Sequence, residues 1–460
     1  MQVHVEVLHV IQQFGHGGAS RALTALIDGS DTATHRVVSL ISATASGRAE
    51  LSARGIDLIE QPQRHRLESL IKQSDIVHVH FWNTPELYAF MSTPISARVV
   101  VWSHVAGNTA PHVVTPEIAS YADLLVSTGR PFTDLCEKGL VIKPRTPHKI
   151  ANKQRQVRES RPFTVGIFGT LDSTRSEASA FDAFVAADLP HANLLVVGAG
   201  DLPPIWHARA ESLKLLDRVE FTGFVRNIEF QLTRMDVLLH MMRTDSFATS
   251  DLSIQEALMA GVVPVITSGT AVTELVRDGV DALVAVDSHE CVRHLQTLYH
   301  DPRLVQSLST EGIRKSHSEF NPKTSAREFE MLYKELIELP KRTHKISLNG
   351  AASGAHSFMA TLGLRAEIFM VSAEREAGWQ DADETIAASP PALIGAGAGG
   401  ILHYRGYYPN DPILRYWAGL VFAAQGRTAL AAAEFAAATN TGFPGAKDRL
   451  TRILYKRAFE

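Results

Sequence analysis

From Asp245 to Gly261 the chain reads Asp-Ser-Phe-Ala-Thr-Ser-Asp-Leu-Ser-Ile-Gln-Glu-Ala-Leu-Met-Ala-Gly, with Pro264 three residues on. A polar turn that follows an apolar strand and opens a helix exposes backbone amides. Here they lie around Phe247, Ala248, Thr249 and onward to Leu252, and with the helix dipole they suit anionic phosphate oxygens. Glu256 falls one or two turns into that helix, where a carboxylate can accept hydrogen bonds from the two vicinal hydroxyls of a ribose. Gly261 is placed to end the helix and Pro264 to open the next strand. The same order of residues also describes a plain helix-to-strand joint in any doubly wound domain. A second candidate, Gly15-His-Gly17-Gly18-Ala-Ser-Arg21, comes after the first strand and opens a helix, where glycines let the backbone approach a ligand.

Both candidates depend on the elements that carry them. Apolar runs at 3–11, 36–41, 75–79, 98–101 and 123–126 alternate with helix-like stretches, and a second series runs through 163–168, 194–197, 219–221, 237–240, 263–266 and 283–286. Strands alternating with helices predict parallel sheets covered on both faces. Between the series, 142–161 loses periodicity and gathers Lys143, Arg145, Lys149, Lys153, Arg155, Arg158 and Arg161, the pattern of a linker or a solvated basic loop, with a phosphate- or lipid-facing patch as the alternative. A helix over 324–337 with Phe329, Leu332, Tyr333 and Leu336 at helical spacing is predicted to pack back across the domains.

The totals set bounds. A chain of 460 residues predicts two or three domains and a cleft between them. A formal net charge of -4 argues against nucleic-acid binding as the global theme. Two distant cysteines, Cys136 and Cys291, form no disulfide framework and fit a reducing compartment. The start reads as a strand rather than a signal peptide, and no apolar run approaches the ~20 residues that span a bilayer. The expectation is a cytoplasmic protein, with peripheral contact at the inner face of the membrane as the only membrane role. No metal constellation is expected.

The segment around Glu256 resembles the signature of retaining GT-B glycosyltransferases of family 4 (glycosyl transferases group 1). That resemblance implies an α/β fold of two doubly wound Rossmann-like domains facing a cleft, and a nucleoside-diphosphate sugar, UDP- or GDP-linked, as donor with no further cofactor. It implies that Glu256 holds the donor ribose and that an acid upstream contacts the sugar. Asp245 matches that acid if a short insertion is allowed, with Asp251 as its rival. Gly169-Thr170-Leu-Asp-Ser-Thr-Arg175 resembles the family's phosphate loop. Thr170 stands for an arginine there, and Arg175 keeps the second cation that meets the leaving diphosphate. By the same resemblance Gly17 and Gly18 border donor phosphate and acceptor, Phe224 and Val225 flank the base, and His104, more than His80, contacts the donor sugar.

Outside the resemblance, beyond Pro340, the chain turns Ala- and Gly-rich. Gly419, Phe422, Gly426, Ala431, Phe435, Ala438 and Pro444 occupy the small and aromatic positions of a tetratricopeptide-like helix pair, or of an ordinary helical hairpin. The predicted organisation is residues 1–160 (acceptor side, with the basic linker), 161–340 (nucleotide sugar, with the crossover helix) and 341–460 (helical extension). The last is expected to dock on the body or to bind a protein partner or a second copy. The expected activity is sugar transfer to an acceptor hydroxyl of a saccharide, a lipid-linked molecule or a protein, with retention of configuration. The alternative is an inactive GT-B-like scaffold.

Overall fold

Short apolar strands separated by amphipathic helices fold into two parallel sheets in the computed structural model, which describes residues 4–130, 132–136, 139–147, 150, 161–346, 353–443 and 445–459. Of the residues named above, Lys149, Lys153, Arg155, Arg158 and Pro444 lie outside these. The first half contributes β1 (Val5–Ile11), β2 (Ala33–Ser39), β3 (Asp57–Glu60), β4 (Ile76–Phe81), β5 (Ile95–Ala97), β6 (Val99–Ser103), β7 (Leu124–Ser127) and β8 (Leu140–Val141). The second contributes β9 (Thr164–Thr170), β10 (Asn193–Ala199), β11 (Val219–Gly223), β12 (Val237–His240), β13 (Val263–Thr267) and β14 (Leu283–Ala285), and β15 (Arg342–His344) follows.

The first sheet has the order β3-β2-β1-β4-β6-β7-β8 and the second β11-β10-β9-β12-β13-β14, while β15 pairs antiparallel with β5. Strands β4, β6, β12 and β13 are buried along their whole length, as central strands with helices on both faces must be. In each sheet the strand order reverses beside the first strand, between β1 and β4 and between β9 and β12. At such a switch point the following loops part and leave a crevice at the carboxyl edge. The loops that carry Gly17 and Arg175 leave β1 and β9, so the candidate residues sit at these two crevices.

The helix Pro322–Leu336 packs back across the domains as its spacing predicted. Phe329, Tyr333 and Leu336 are buried with Val5, Val7 and Trp102 of the first domain. A Cβ on Gly29 would lie 2.9 Å from the Ala326 Cβ, so the helix Gly18–Gly29 can approach closely only because that residue is glycine. Glu330 anchors the crossing by accepting from Ser30 Oγ at 2.7 Å and from the Asp31 and Thr32 amides at 2.8 and 2.7 Å.

Within the basic segment the described residues divide between burial and solvent. Arg145 is 8% exposed, and Arg161 forks onto the buried Asp236 with N–O distances of 3.0 and 2.7 Å. Arg145 thus departs from the usual solvent-facing place of a charge run, while Arg161 stays exposed as it reaches the buried carboxylate.

The C-terminal helices have their own core around Phe358, Phe369, Tyr404, Trp417 and Phe435. Its centre is polar: Asp383 accepts from Ser372 Oγ at 2.7 Å and from Arg449 at 3.0 Å, and also bonds Tyr416. The helices Pro412–Ala424 and Thr428–Asn440 cross where Gly419 meets the Phe435 ring, and a Cβ on Gly419 would fall 2.5 Å from Phe435 Cε1. Gly419→Val is therefore expected to overpack this crossing by about 1–3 kcal/mol and lower Tm in a thermal melt. An unchanged Tm would contradict the packing. The region docks on the first domain through Asn83, which takes a hydrogen bond from Tyr404 Oη at 2.7 Å and donates to the Gly399 carbonyl at 3.3 Å.

Candidate functional site

The helix Leu252–Met259 starts at the carboxyl edge of the second sheet, and Asp251 caps it by accepting from the Ser253 amide. The same carboxylate takes Arg175 Nη2 at 2.9 Å and Ser253 Oγ at 2.6 Å, with His240 Nε2 at 3.5 Å. Burial alone would raise the Asp251 carboxyl, but His240, Arg175 and Ser253 outweigh it and hold the group far below the usual carboxylate range. Gly169 and Thr170 are exposed beside this cluster at the end of β9. With Arg175, His240 and Asp251 they line a crevice. The left-handed φ of +130° at Gly169 is one that glycine accepts.

Glu256 lies on the same helix and is 1% exposed. It forms an ion pair with Arg21 of the first domain and accepts from Thr146 Oγ1 at 2.7 Å. Burial lowers the Arg21 guanidinium to about 10, with Asp251 and Glu50 opposing that shift. Both Arg21 Nε and Arg175 Nε are buried without a hydrogen-bond partner among the described residues. Buried orphaned donors on cationic side chains are uncommon and suit an anion that would share them.

Further contacts cross from one domain to the other. His16 and Phe224 rings lie 4.3 Å apart, the Ala106 amide donates to the Phe247 carbonyl at 2.9 Å, and Thr128 and Thr249 hydroxyls meet at 2.6 Å. Gly17 and Gly18 cap and open the helix Gly18–Gly29, and no atom lies within 4 Å of a Cβ built on either, so the backbone there is open to a ligand. Phe224 is 53% exposed, whereas Val225 packs against the core of the second domain. Phe247 also meets the His112 ring at a tilt, with centroids 4.0 Å apart. The Ala248 amide donates to Ser246 Oγ at 3.3 Å.

The two candidate acids are separated by their partners. Asp245 is gripped by Arg243, two residues earlier, at 2.8 and 2.9 Å, while Asp251 joins Arg175 and His240. Of the histidines, His80 is fully buried and His104 half-buried at the end of β6. Thr146 and His240 were not anticipated as site members. Thr146 is reached only through a contact between residues 110 apart, which no local pattern reveals.

One group among the described residues has metal-ligand spacing: nitrogens of His9, His78 and His80 lie within 4.8 Å of one another. His9 Nδ1 and His80 Nε2 are already hydrogen-bonded to each other at 3.0 Å.

Residues 163–301 match the family Glycosyl transferases group 1. The chain is 23% identical over 210 residues to an alpha-monoglucosyldiacylglycerol synthase of Acholeplasma laidlawii, covering 44% of this chain and 52% of that one. It is 22% identical over 203 residues to the putative glycosyltransferase EpsD of Bacillus subtilis (strain 168), covering 42% and 52%. The match thus spans about half the length of these curated relatives. Among solved structures, Anabaena HepE in complex with UDP and glucose superposes with a TM-score of 0.57 at 18% identity, over 72% of this chain and all of that one. A glycosyltransferase of Rickettsia africae ESF-5 superposes with a TM-score of 0.54 at 14% identity, over 73% and 99%. The fold is that of the two-domain GT-B glycosyltransferases, with a helical C-terminal region added. No helix among the described residues is long and apolar enough to cross a membrane.

Proposed function

We propose that this chain is a retaining, family 4 glycosyltransferase that moves a hexosyl group from a nucleoside-diphosphate sugar to an acceptor hydroxyl. The observation that carries the reading is the pair of half-buried arginines, Arg21 and Arg175, with buried, orphaned Nε donors at the facing switch points of the two sheets. A diphosphate is the anion that two such cations suit, and the match of residues 163–301 to the Glycosyl transferases group 1 family supports it. UDP is the first base to test, because Anabaena HepE is described with UDP and glucose. On this reading Glu256 holds the ribose, Phe224 and Val225 flank the base, and amides near Phe247, Ala248 and Thr249 with Gly169 and Thr170 line the phosphates and sugar. Gly17 and Gly18 border the acceptor side. Arg175 stabilises charge on the leaving diphosphate by preorganised electrostatics. Asp251, held ionised beside Arg175, takes the place of Asp245 as the acid near the sugar.

The domains divide at about residues 160 and 340 on this reading. The extension, tetratricopeptide-like in its Gly419–Phe435 crossing, serves a partner or acceptor, and the chain works in the cytoplasm or at the inner membrane face. A second reading, an inactive GT-B-like scaffold, is favoured by one observation: Glu256 and Asp251 are already ion-paired with Arg21 and Arg175. Calorimetric titration with UDP, GDP and their sugars separates the two. Binding followed by hydrolysis or transfer supports the enzyme, and binding with neither supports the scaffold.

A further inference from the structure

A row of histidines crosses the first sheet beneath its covering helices. His35 Nδ1 lies 2.8 Å from His9 Nε2, His9 Nδ1 lies 3.0 Å from His80 Nε2, and His80 Nδ1 lies 3.0 Å from His104 Nε2. The parallel register sets the spacing, with His9 opposite His78 and His80 opposite Trp102. His78 stands beside the row and is hydrogen-bonded to Tyr333 Oη at 2.6 Å. His35 is 6% exposed, His9 and His80 are fully buried, and His104 alone is half-buried, at the edge where Ala106 touches Phe247.

Burial pushes all four imidazoles down, His35 to about 4 and His104 to about 3, so the row is neutral near pH 7. A neutral imidazole has one N–H and one bare nitrogen, and each link needs one of each. The protons in the row must therefore all point the same way. If they pointed from His104 toward His35, the last N–H would be His35 Nε2, which is buried with no partner. Pointed the other way, His35 Nε2 is a bare lone pair and every buried N–H in the row has an acceptor. An orphaned buried N–H is the rarer and costlier state.

We infer that His35, His9 and His80 are positioning residues that fix His104 as the Nδ1–H tautomer, so that it presents an N–H donor to an oxygen of the ligand in the cleft. For a nucleotide sugar that oxygen is a sugar hydroxyl or a phosphate, an identification that rests on the proposed function. The tautomer does not. Free neutral histidine favours the proton on Nε2, so the row imposes the less favoured form, and the partner of one ring nitrogen decides the state of the other.

Long-range proton–nitrogen correlation spectra of the full chain labelled at histidine with nitrogen-15 read the tautomer directly. Wild-type His104 is expected to carry its proton on Nδ1 alone near neutral pH. His80→Leu is expected to release it to a mixture dominated by Nε2–H, and His35→Phe to leave it unchanged, because the bare end of the row then moves to His9. An Nε2–H or mixed His104 in the wild type would overturn the inference even if His80→Leu fails to fold. Stoichiometric zinc in the purified protein, held at His9, His78 and His80, would overturn it as well. Addition of UDP-glucose is expected to shift the His104 Nδ1 signal. If the tautomer is as inferred and the signal does not move, the donor-site assignment of His104 fails while the row stands.

Discussion

Glu256→Ala is expected to weaken binding of the donor nucleotide by about 10- to 100-fold, the loss of one hydrogen bond to a charged group at about 1.5–3 kcal/mol. The same change strands Arg21, whose guanidinium is the ion-pair partner of Glu256 across the cleft. Removing one member of a buried pair costs about 3–5 kcal/mol, so Tm should fall with affinity. The double variant Arg21→Met, Glu256→Leu removes both charges. It is expected to recover most of the stability and none of the binding. Calorimetry with UDP and a thermal melt on the same samples check both. Full affinity in Glu256→Ala would remove this residue from the site, and a double variant as unstable as the single would contradict the pairing.

Asp251→Asn is expected to abolish turnover and to flatten the acid limb of stability. Asparagine keeps the helix cap, so the substitution isolates the charge that Arg175 and His240 face. In the folded state the Asp251 carboxyl is held far below its ordinary range. Between the folded value and the unfolded one of about 4, the unfolded chain binds the extra proton, so stability rises with pH through that window. The contribution is fully present above the unfolded value and is lost as pH falls toward the folded one. Denaturant unfolding of wild type and Asp251→Asn from neutral to acid pH should therefore give curves that converge as pH falls. Parallel curves would show that the carboxylate is not held ionised by folding.

Much of the fold was legible because central strands are apolar runs bounded by polar turns. β4, β6, β12 and β13 begin or end within two residues of their predicted limits. The apolar pattern starts β2 late, at 36–41 rather than Ala33–Ser39, because Thr34 and His35 break the apolar run although the strand pairs through them. The half-exposed edge strand β3 and the short strands β8 and β15 carried too little pattern to be seen. At the site, Glu256, Gly17 and Gly18 were legible from local order: a helix after a polar turn and a double glycine after the first strand. The choice between Asp245 and Asp251 was not, because it depends on where an insertion falls in the turn, and only the partners Arg243 and Arg175 separate them. The pairing of Arg21 with Glu256 and the row from His35 to His104 depend on domain apposition and strand register, which no window of sequence contains.

The central claim is that the two arginines and the two carboxylates of the cleft serve sugar transfer. Incubation of the full chain with a panel of UDP- and GDP-sugars, with and without saccharide and lipid-linked acceptors, followed by mass spectrometry, tests it most directly. Release of one nucleoside diphosphate from one class of donor is expected, abolished in Arg175→Ala and Glu256→Ala. Intact donor throughout the panel, with no nucleotide bound, would contradict it.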